Sequence, residues 1–241
     1  MPSNALLFLT EPIMQYTAVL FDLDGTLVDS IPDIAAAANG VLSDLSRAPL
    51  PEDVIRSFVG KGSDVLVQRL LRHTSENEHI DPAEYERAKA SFAHHYAQSN
   101  GQHSTIYPGV VEGLQAFKAA GCKLAVVTNK PIEFTIPLLD ALHLSPYFEL
   151  MVGGNTTEQK KPHPLPFIHA SNTLHVPAAQ CLVIGDSIND AQAARGAQMD
   201  VLLVPYGYNE GIDIQTLDAD AIVSSIKHAA EWATTRSSIA D

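Results

Sequence analysis

The chain has 241 residues, with 15 Lys and Arg against 28 Asp and Glu and a formal charge of −13. Apolar residues make up 46% and charged residues 18%, which excludes a disordered chain and allows a sizeable core. The acidic balance excludes a generic binder of nucleic acid or anionic membrane, which needs a basic surface. It leaves room for an anionic substrate met by a few local charges. Cys122 and Cys181 sit in apolar runs and form neither a disulfide framework nor a Cys-x-x-Cys motif, so reduced, buried thiols and the cytoplasm are expected. No Lys or Arg precedes Arg47, so Met1–Thr10 lacks the charged region of a signal peptide and reads as a frayed leader. No apolar run reaches the ~18–20 residues of a membrane span.

In chain order, Thr17–Phe21 is the first apolar, strand-like run. Ser30-Ile-Pro-Asp33 then predicts a helix start, with Ser30 as cap, Asp33 as its reciprocal acid and Pro32 in the first turn. That helix runs toward Leu45. A second opens at Pro51, a third spans Asp64–His73 behind Gly60-Lys-Gly-Ser63, and a long one runs from Pro82 to about Gln98. No strand is expected between Ser30 and about Ile106. From there strands and helices alternate: helix Val110–Ala120, strand Lys123–Val127, helix Ile132–Leu142, and a weaker strand at Leu150–Val152. Helix Leu165–Leu174, strand Cys181–Ile184, helix Asn189–Gly196, strand Val201–Val204 and a weaker strand at Ala221–Val223 follow. The Ser/Thr-rich tail after Trp232 is expected to be loose. This alternation predicts an α/β fold, a Rossmann-like, mostly parallel sheet with helices on both faces, whose functional groups lie beyond the carboxyl ends of its strands. The helical block interrupts it. The expected domains are therefore a discontinuous sheet domain, residues 1–29 and 107–241, and an inserted all-helical domain, residues 30–106.

Chemistry concentrates at the predicted strand ends. Phe21-Asp-Leu-Asp-Gly-Thr-Leu-Val-Asp-Ser30 closes a buried strand with two carboxylates, Asp22 and Asp24, which can share one crevice. Gly25 permits a sharp turn, and close carboxylates call for a cation between them. Thr128-Asn129 ends the next strand with a hydroxyl and an amide, suitable donors to a phosphoryl oxygen. Gly185-Asp-Ser-Ile-Asn-Asp190 ends another with an acidic pair, Asp186 and Asp190, suited to a divalent metal. Lys160-Lys-Pro-His-Pro164 is a stiff basic stretch in which Pro162 keeps Lys161 out of helical geometry. Taken singly, each has a plainer reading as a turn, a helix cap or a solvated lysine. Their joint occurrence in this order does not.

On these four segments the chain resembles the haloacid dehalogenase-like superfamily of aspartate-nucleophile hydrolases, and the helical block sits where that family carries a helical cap. The resemblance implies Asp22 as nucleophile and Asp24 as the acid and base that serves the leaving alcohol and then the attacking water. It implies Mg²⁺ held by Asp22, Asp186 and the backbone carbonyl of Asp24. Lys161, Thr128 and the Asn129 backbone would bind phosphoryl oxygens, and Asp190 would orient Lys161 or a water on the metal. An acid at Asp24 favours phosphate esters over carbon–halogen bonds, because the dehalogenases carry an aromatic residue there. Phe58–Val67, Lys160–Pro164 and Pro205–Gly211 are similar to segments of the bacterial phosphoglycolate phosphatases. A small phosphorylated metabolite, 2-phosphoglycolate first, is thus the expected partner, with Lys61 and Gly62 of the helical block reaching toward its carboxylate or, in the plainer reading, Lys61 an exposed loop lysine ahead of a helix start. A sugar-phosphate phosphatase, a β-phosphoglucomutase-like phosphotransferase and a catalytically idle metabolite-binding relative stay open, as does a monomer or a homodimer. The ten histidines form no zinc pattern, and no P-loop, Gly-x-Gly-x-x-Gly or Gly-x-Ser-x-Gly motif occurs.

Overall fold

The central strand, β1 (Ala18–Phe21), is buried along its whole length, and its side chains divide by parity. Val19 and Phe21 enter one apolar cluster, Ala18 and Leu20 another, as the twofold repeat of a strand requires. The computed structural model describes residues 14–75 and 79–236. After β1 come β2 (Val28–Asp29), α1 (Ile31–Asp44), α2 (Glu52–Arg56), α3 (Ser63–His73), α4 (Pro82–Ser99) and β3 (Thr105–Ile106). The alternating part follows: α5 (Val110–Ala119), β4 (Lys123–Val127), α6 (Ile132–Ala141), β5 (Leu150–Val152), α7 (Leu165–Leu174) and β6 (Cys181–Gly185). It closes with α8 (Ile188–Gly196), β7 (Asp200–Leu203), β8 (Ala221–Ile222) and α9 (Ile226–Arg236).

Six strands form one sheet in the order β5-β4-β1-β6-β7-β8, with every neighbouring pair parallel. Helices α5, α6 and α9 cover one face through Val110, Phe117, Leu138 and Ile226; α7 and α8 cover the other through Phe167, Ala170 and Ala194. Phe21 lies level with Val126 of β4 and Ile184 of β6. The residues just past these three strand ends, Asp22, Thr128 and Asp186, therefore rise side by side. That register positions the site.

Helices α1 to α4 bury a separate apolar cluster, with Ile31, Val41, Leu70, Phe92 and Tyr96 among its members. The two passages between this layer and the sheet, β2 and β3, pair with each other antiparallel, Val28 opposite Ile106 and Asp29 opposite Thr105. A strand in this region departs from the sequence expectation. Two residues are too few to show a twofold repeat, and the pairing arises only because both passages leave the sheet at one place.

The predicted cap of α1 is also corrected. Ser30 donates its hydroxyl to Asp24 (2.6 Å), and its N–H, the group the reciprocal acid would take, donates to the Tyr208 hydroxyl (2.9 Å). Asp33 turns instead to the loop after α4 and accepts from the N–H groups of Gly101 (2.9 Å), His103 (2.9 Å) and Ser104 (3.0 Å), and from the Ser104 hydroxyl (2.5 Å). A fully buried carboxylate binds the start of α1 to the end of the helical excursion. The tail expectation changes too, since α9 continues past Trp232 and buries Ala233. The leader at Met1–Thr10 lies outside the described residues. Among the described residues no helix is long and apolar enough to cross a membrane.

Burial opposes the Asp33 charge, but its hydrogen bonds prevail and hold its carboxyl below the ordinary value. A depressed carboxyl stabilises the fold above its unfolded pKa and loses that contribution as pH falls through the folded value. Asp33→Ala should cost about 3 kcal/mol in urea denaturation near neutral pH, because it strands the buried N–H and hydroxyl of Ser104 and frees the N–H groups of Gly101 and His103. Asp33→Asn should flatten the loss of stability below roughly pH 4. An unchanged acid limb in that variant would remove Asp33 from this role.

Candidate active site

Asp22 extends the ladder of β1, its N–H donating to the Ile184 carbonyl (2.9 Å). Leu23 is buried in the core, so Asp22 and Asp24 project from either side of an anchored residue. The chain then turns sharply. The Leu23 carbonyl accepts from the N–H groups of Thr26 (3.3 Å), Leu27 (3.0 Å) and Val28 (3.1 Å). Gly25 takes φ +90°, and a Cβ there would stand 2.4 Å from Asp186 Oδ2. Gly207 approaches the same carboxylate from the other side, with a hypothetical Cβ at 2.1 Å. Two glycines thus make room for Asp186.

Lys161 is buried and lies between two carboxylates, Asp190 Oδ1 at 2.7 Å and Asp22 Oδ1 at 2.8 Å. Burial opposes its charge, but Asp190 and Asp22 outweigh that and raise its pKa above the ordinary lysine value. Asp190 is fully engaged: its Oδ2 accepts from the Ser187 hydroxyl (2.7 Å), the Ser187 N–H (3.2 Å) and the Asp186 N–H (3.3 Å). Asp186, at the end of β6, accepts from the Thr26 hydroxyl (3.1 Å) and from the Tyr208 N–H. Burial, then the repulsion of Asp190 and Asp22, pushes its carboxyl well up. Burial likewise raises Asp22 to about 6, against the pull of Lys161.

Oxygens of Asp22, Asp186 and Asp190 lie within 4.8 Å of one another. An all-oxygen, crowded and buried anionic set suits a hard divalent cation. Asp190 is the most heavily engaged of the three, with Lys161 on Oδ1 and three donors on Oδ2, whereas each oxygen of Asp186 accepts from a single donor, which leaves Asp22 and Asp186 the better ligands. The Asp24 side chain stands outside this group. Its Oδ1 accepts from Ser30 (2.6 Å), and Lys130 Nζ reaches its two oxygens at 3.0 and 3.2 Å.

Thr128 and Asn129 follow β4 as expected, with the Thr128 N–H donating to the Val152 carbonyl (2.9 Å). The Asn129 side chain is a brace: its amide donates to the carbonyls of Lys161 (2.9 Å) and Gly60 (3.1 Å), and its Oδ1 accepts from the Lys161 N–H (2.9 Å). It ties the basic loop to the helical layer. The helical layer closes over these groups as a cavity roof that includes Ile34, Val59, Leu66 and Phe92, with Phe134 of α6 beside it. Gly62 lines the cavity, but Lys61 does not. The Lys61 ammonium faces Glu210 (3.5 Å), which also pairs with Arg69 (3.1 Å), so the structure separates two residues that were expected to act together.

Three residues emerge only here. Lys130 and Tyr96 meet beside Asp24, their side chains 2.5 Å apart. Tyr208 is a strut, its N–H on Asp186 and its hydroxyl bonded to Asp29 (2.7 Å) as well as Ser30. Lys130 directly follows the Thr128-Asn129 pair, which was its one signal, and lysines are ordinarily exposed.

The family model described as haloacid dehalogenase-like hydrolase matches residues 19–204, a span holding every charged group described around Asp22. The chain belongs to the haloacid dehalogenase-like hydrolase family. It is 46% identical over 212 residues to a protein of Nitrosospira multiformis named phosphoglycolate phosphatase, covering 88% of this chain and 93% of that one. A protein of the same name from Thiobacillus denitrificans is 47% identical over 214 residues, again 88% and 93%. Among solved structures, a predicted phosphoglycolate phosphatase from Haemophilus somnus superposes with a TM-score of 0.86 at 35% identity, covering 90% of this chain and 98% of that one.

Raised carboxyls bind protons more tightly in the folded chain, so without a cation the contribution of Asp22 to stability falls as pH rises from about 4 through 6, and that of Asp186 falls likewise as its own raised carboxyl ionises. A divalent cation that replaces those protons should therefore raise the melting temperature more at about pH 7.5 than at pH 5. Equal shifts at both pH values would contradict a cation held by Asp22 and Asp186.

Proposed function

We propose that the chain is a Mg²⁺-dependent phosphatase that hydrolyses 2-phosphoglycolate to glycolate and inorganic phosphate through an aspartyl-phosphate on Asp22. It is a phosphoric monoester hydrolase, and relatives named phosphoglycolate phosphatase at 46–47% identity support the finer choice of substrate. The observation that carries the chemistry is the trio of Asp22, Lys161 and Asp190, whose Asp22 lines one cavity together with Asp24.

Lys161 holds Oδ1 of Asp22 and leaves Oδ2 as the nucleophile. Oδ2 attacks phosphorus in line with the ester oxygen; the P–O bond to the alcohol breaks, and Asp24 gives that oxygen its proton. Asp24 then takes a proton from the water that attacks the aspartyl-phosphate, which releases inorganic phosphate and restores both carboxyl groups. Lys161, the Thr128 hydroxyl and the Asn129 N–H neutralise and orient the phosphoryl oxygens, the principal demand of this reaction. Asp190 keeps Lys161 in place. Asp22, Asp186 and the Asp24 backbone carbonyl would hold Mg²⁺, which supplies positive charge against the phosphoryl group.

The helical block, residues 30–106, acts as a cap that sees the alcohol, and the sheet part, residues 1–29 and 107–241, sees the phosphate. The apolar roof supports this division by excluding water from the reacting groups. A cytoplasmic setting is supported by Cys122 and Cys181, buried free thiols that burial pushes up to about 11 and so keeps unreactive.

Asp22→Asn should lower phosphate release by roughly 10⁴-fold or more with an unchanged melting temperature. Asp24→Asn should lower it by about 10²–10⁴-fold. Phosphate release is to be measured over small phosphorylated acids and sugars with and without Mg²⁺. Turnover by Asp22→Asn at the wild-type rate, or full activity in chelator, would refute the mechanism. Isomerised sugar phosphate in place of free phosphate would favour the phosphomutase reading.

A further inference from the structure

Among the described residues that line the cavity, Lys130 is the one cationic side chain, and the phosphoryl chemistry leaves it without a task. It is 6% exposed, with its ammonium on Asp24 and on the Tyr96 hydroxyl and 4.6 Å above the Tyr96 ring. The other lysines nearby are held elsewhere: Lys161 by Asp22 and Asp190, Lys61 by Glu210, and Lys160 by Asp64 at 3.6 Å. A buried ammonium needs an anionic partner, and losing one costs several kcal/mol. Yet Asp24, acting as acid and base, must turn to the ester oxygen and then to water. During turnover, therefore, Lys130 requires a second anion close to that ester oxygen.

We propose that Lys130 and the Tyr96 hydroxyl receive a carboxylate carried by the leaving alcohol, so that the substrate takes the place of Asp24 on the ammonium and frees Asp24 for proton transfer. This rests on the hydrolase reading with Asp24 as the acid, and it defines the substrate class as phosphate esters of short 2-hydroxy acids. The reach is right. In such an ester the carboxyl carbon is two bonds from the oxygen that Asp24 must protonate, and Lys130 Nζ is 3.0 Å from Asp24. Tyr96 keeps its phenolic proton, since burial pushes its pKa to about 12, and it can donate to the same carboxylate. Burial also opposes the charge of Lys130, but Asp24 and Tyr96 outweigh it and keep the ammonium protonated. A neutral ester would bring no such anion and would leave Asp24 clamped.

The test compares 2-phosphoglycolate with ethyl phosphate, an ester of similar size without the carboxylate, in the wild type, Lys130→Met and Tyr96→Phe, all as full chains with Mg²⁺. The ratio of kcat/KM for the two substrates is independent of the active fraction in each preparation. Lys130→Met should lower this ratio about 10²-fold and Tyr96→Phe about 10-fold. Tyr96→Phe, which keeps the packed ring, decides the matter if Lys130→Met does not fold. An unchanged ratio, with both substrates slowed alike, would overturn the proposal and leave Lys130 as a positioning residue for Asp24. A wild type that shows no preference for phosphoglycolate would overturn the substrate reading itself, and this proposal with it.

Discussion

Everything at the carboxyl edge of the sheet is arranged around one buried ammonium, that of Lys161, and the carboxylates that surround it. Asp22, Asp186 and Asp190 lie within 4.8 Å of one another against this single cation, so the cluster is anionic overall. Charge of that density in a buried place is tolerated only with further compensation. Backbone donors supply part, through the N–H groups of Ser187 and Tyr208, and a divalent cation is the natural source of the rest. The fold serves this constraint directly. With β1 central and β4 and β6 on either side in matched register, the three strand ends deliver the carboxylate of Asp22, the hydroxyl of Thr128 and the carboxylate of Asp186 to one place.

A second buried ion pair lies on the cap side. Lys130 comes from the loop after β4, Asp24 from the turn after β1, and Tyr96 from α4 in the helical layer. Where Lys161 faces the phosphoryl end, Lys130 faces the alcohol end, and the two cations are not equivalent. In the proposed mechanism Asp190 stays with Lys161, whereas the partner of Lys130 is the group assigned to proton transfer. Struts join the two regions: Tyr208 links Asp186 to Asp29 and Ser30, and Asn129 links the Lys161 loop to Gly60. Cap and sheet are therefore coupled through groups that also shape the site.

The strands and the large helices were readable because their signals are local. A run such as Cys181–Ile184 is apolar without a break, and Leu165–Leu174 has helical spacing between proline and turn residues. The β2–β3 pairing was not, since neither two-residue strand has a period of its own. Ser30 and Asp33 show the same limit in another form. Their spacing matches a capping box, but a hydroxyl and a carboxylate bond to whichever donors and acceptors arrive. Here Asp24, Tyr208 and the loop at 101–104 arrive first. Ser187 and Asp190, with the same spacing, do form the local arrangement, the Ser187 hydroxyl and N–H both donating to Asp190.

The sequence by itself determined the residue types at the strand ends: two carboxylates after β1, a hydroxyl after β4, an acid after β6 and a lysine before a proline. Strand ends in a parallel sheet converge, so these residues had to meet. Tertiary structure alone decided which lysine would be buried. Lys61, Lys130, Lys160 and Lys161 are alike in sequence, but of these four only Lys130 and Lys161 have buried side chains, while that of Lys61 stays 41% exposed beside Glu210 of the loop after β7. The reason is physical. The propensity of a residue is set by its neighbours in the chain, whereas the partner of a buried charge is set by long-range packing that brings distant segments within hydrogen-bond distance.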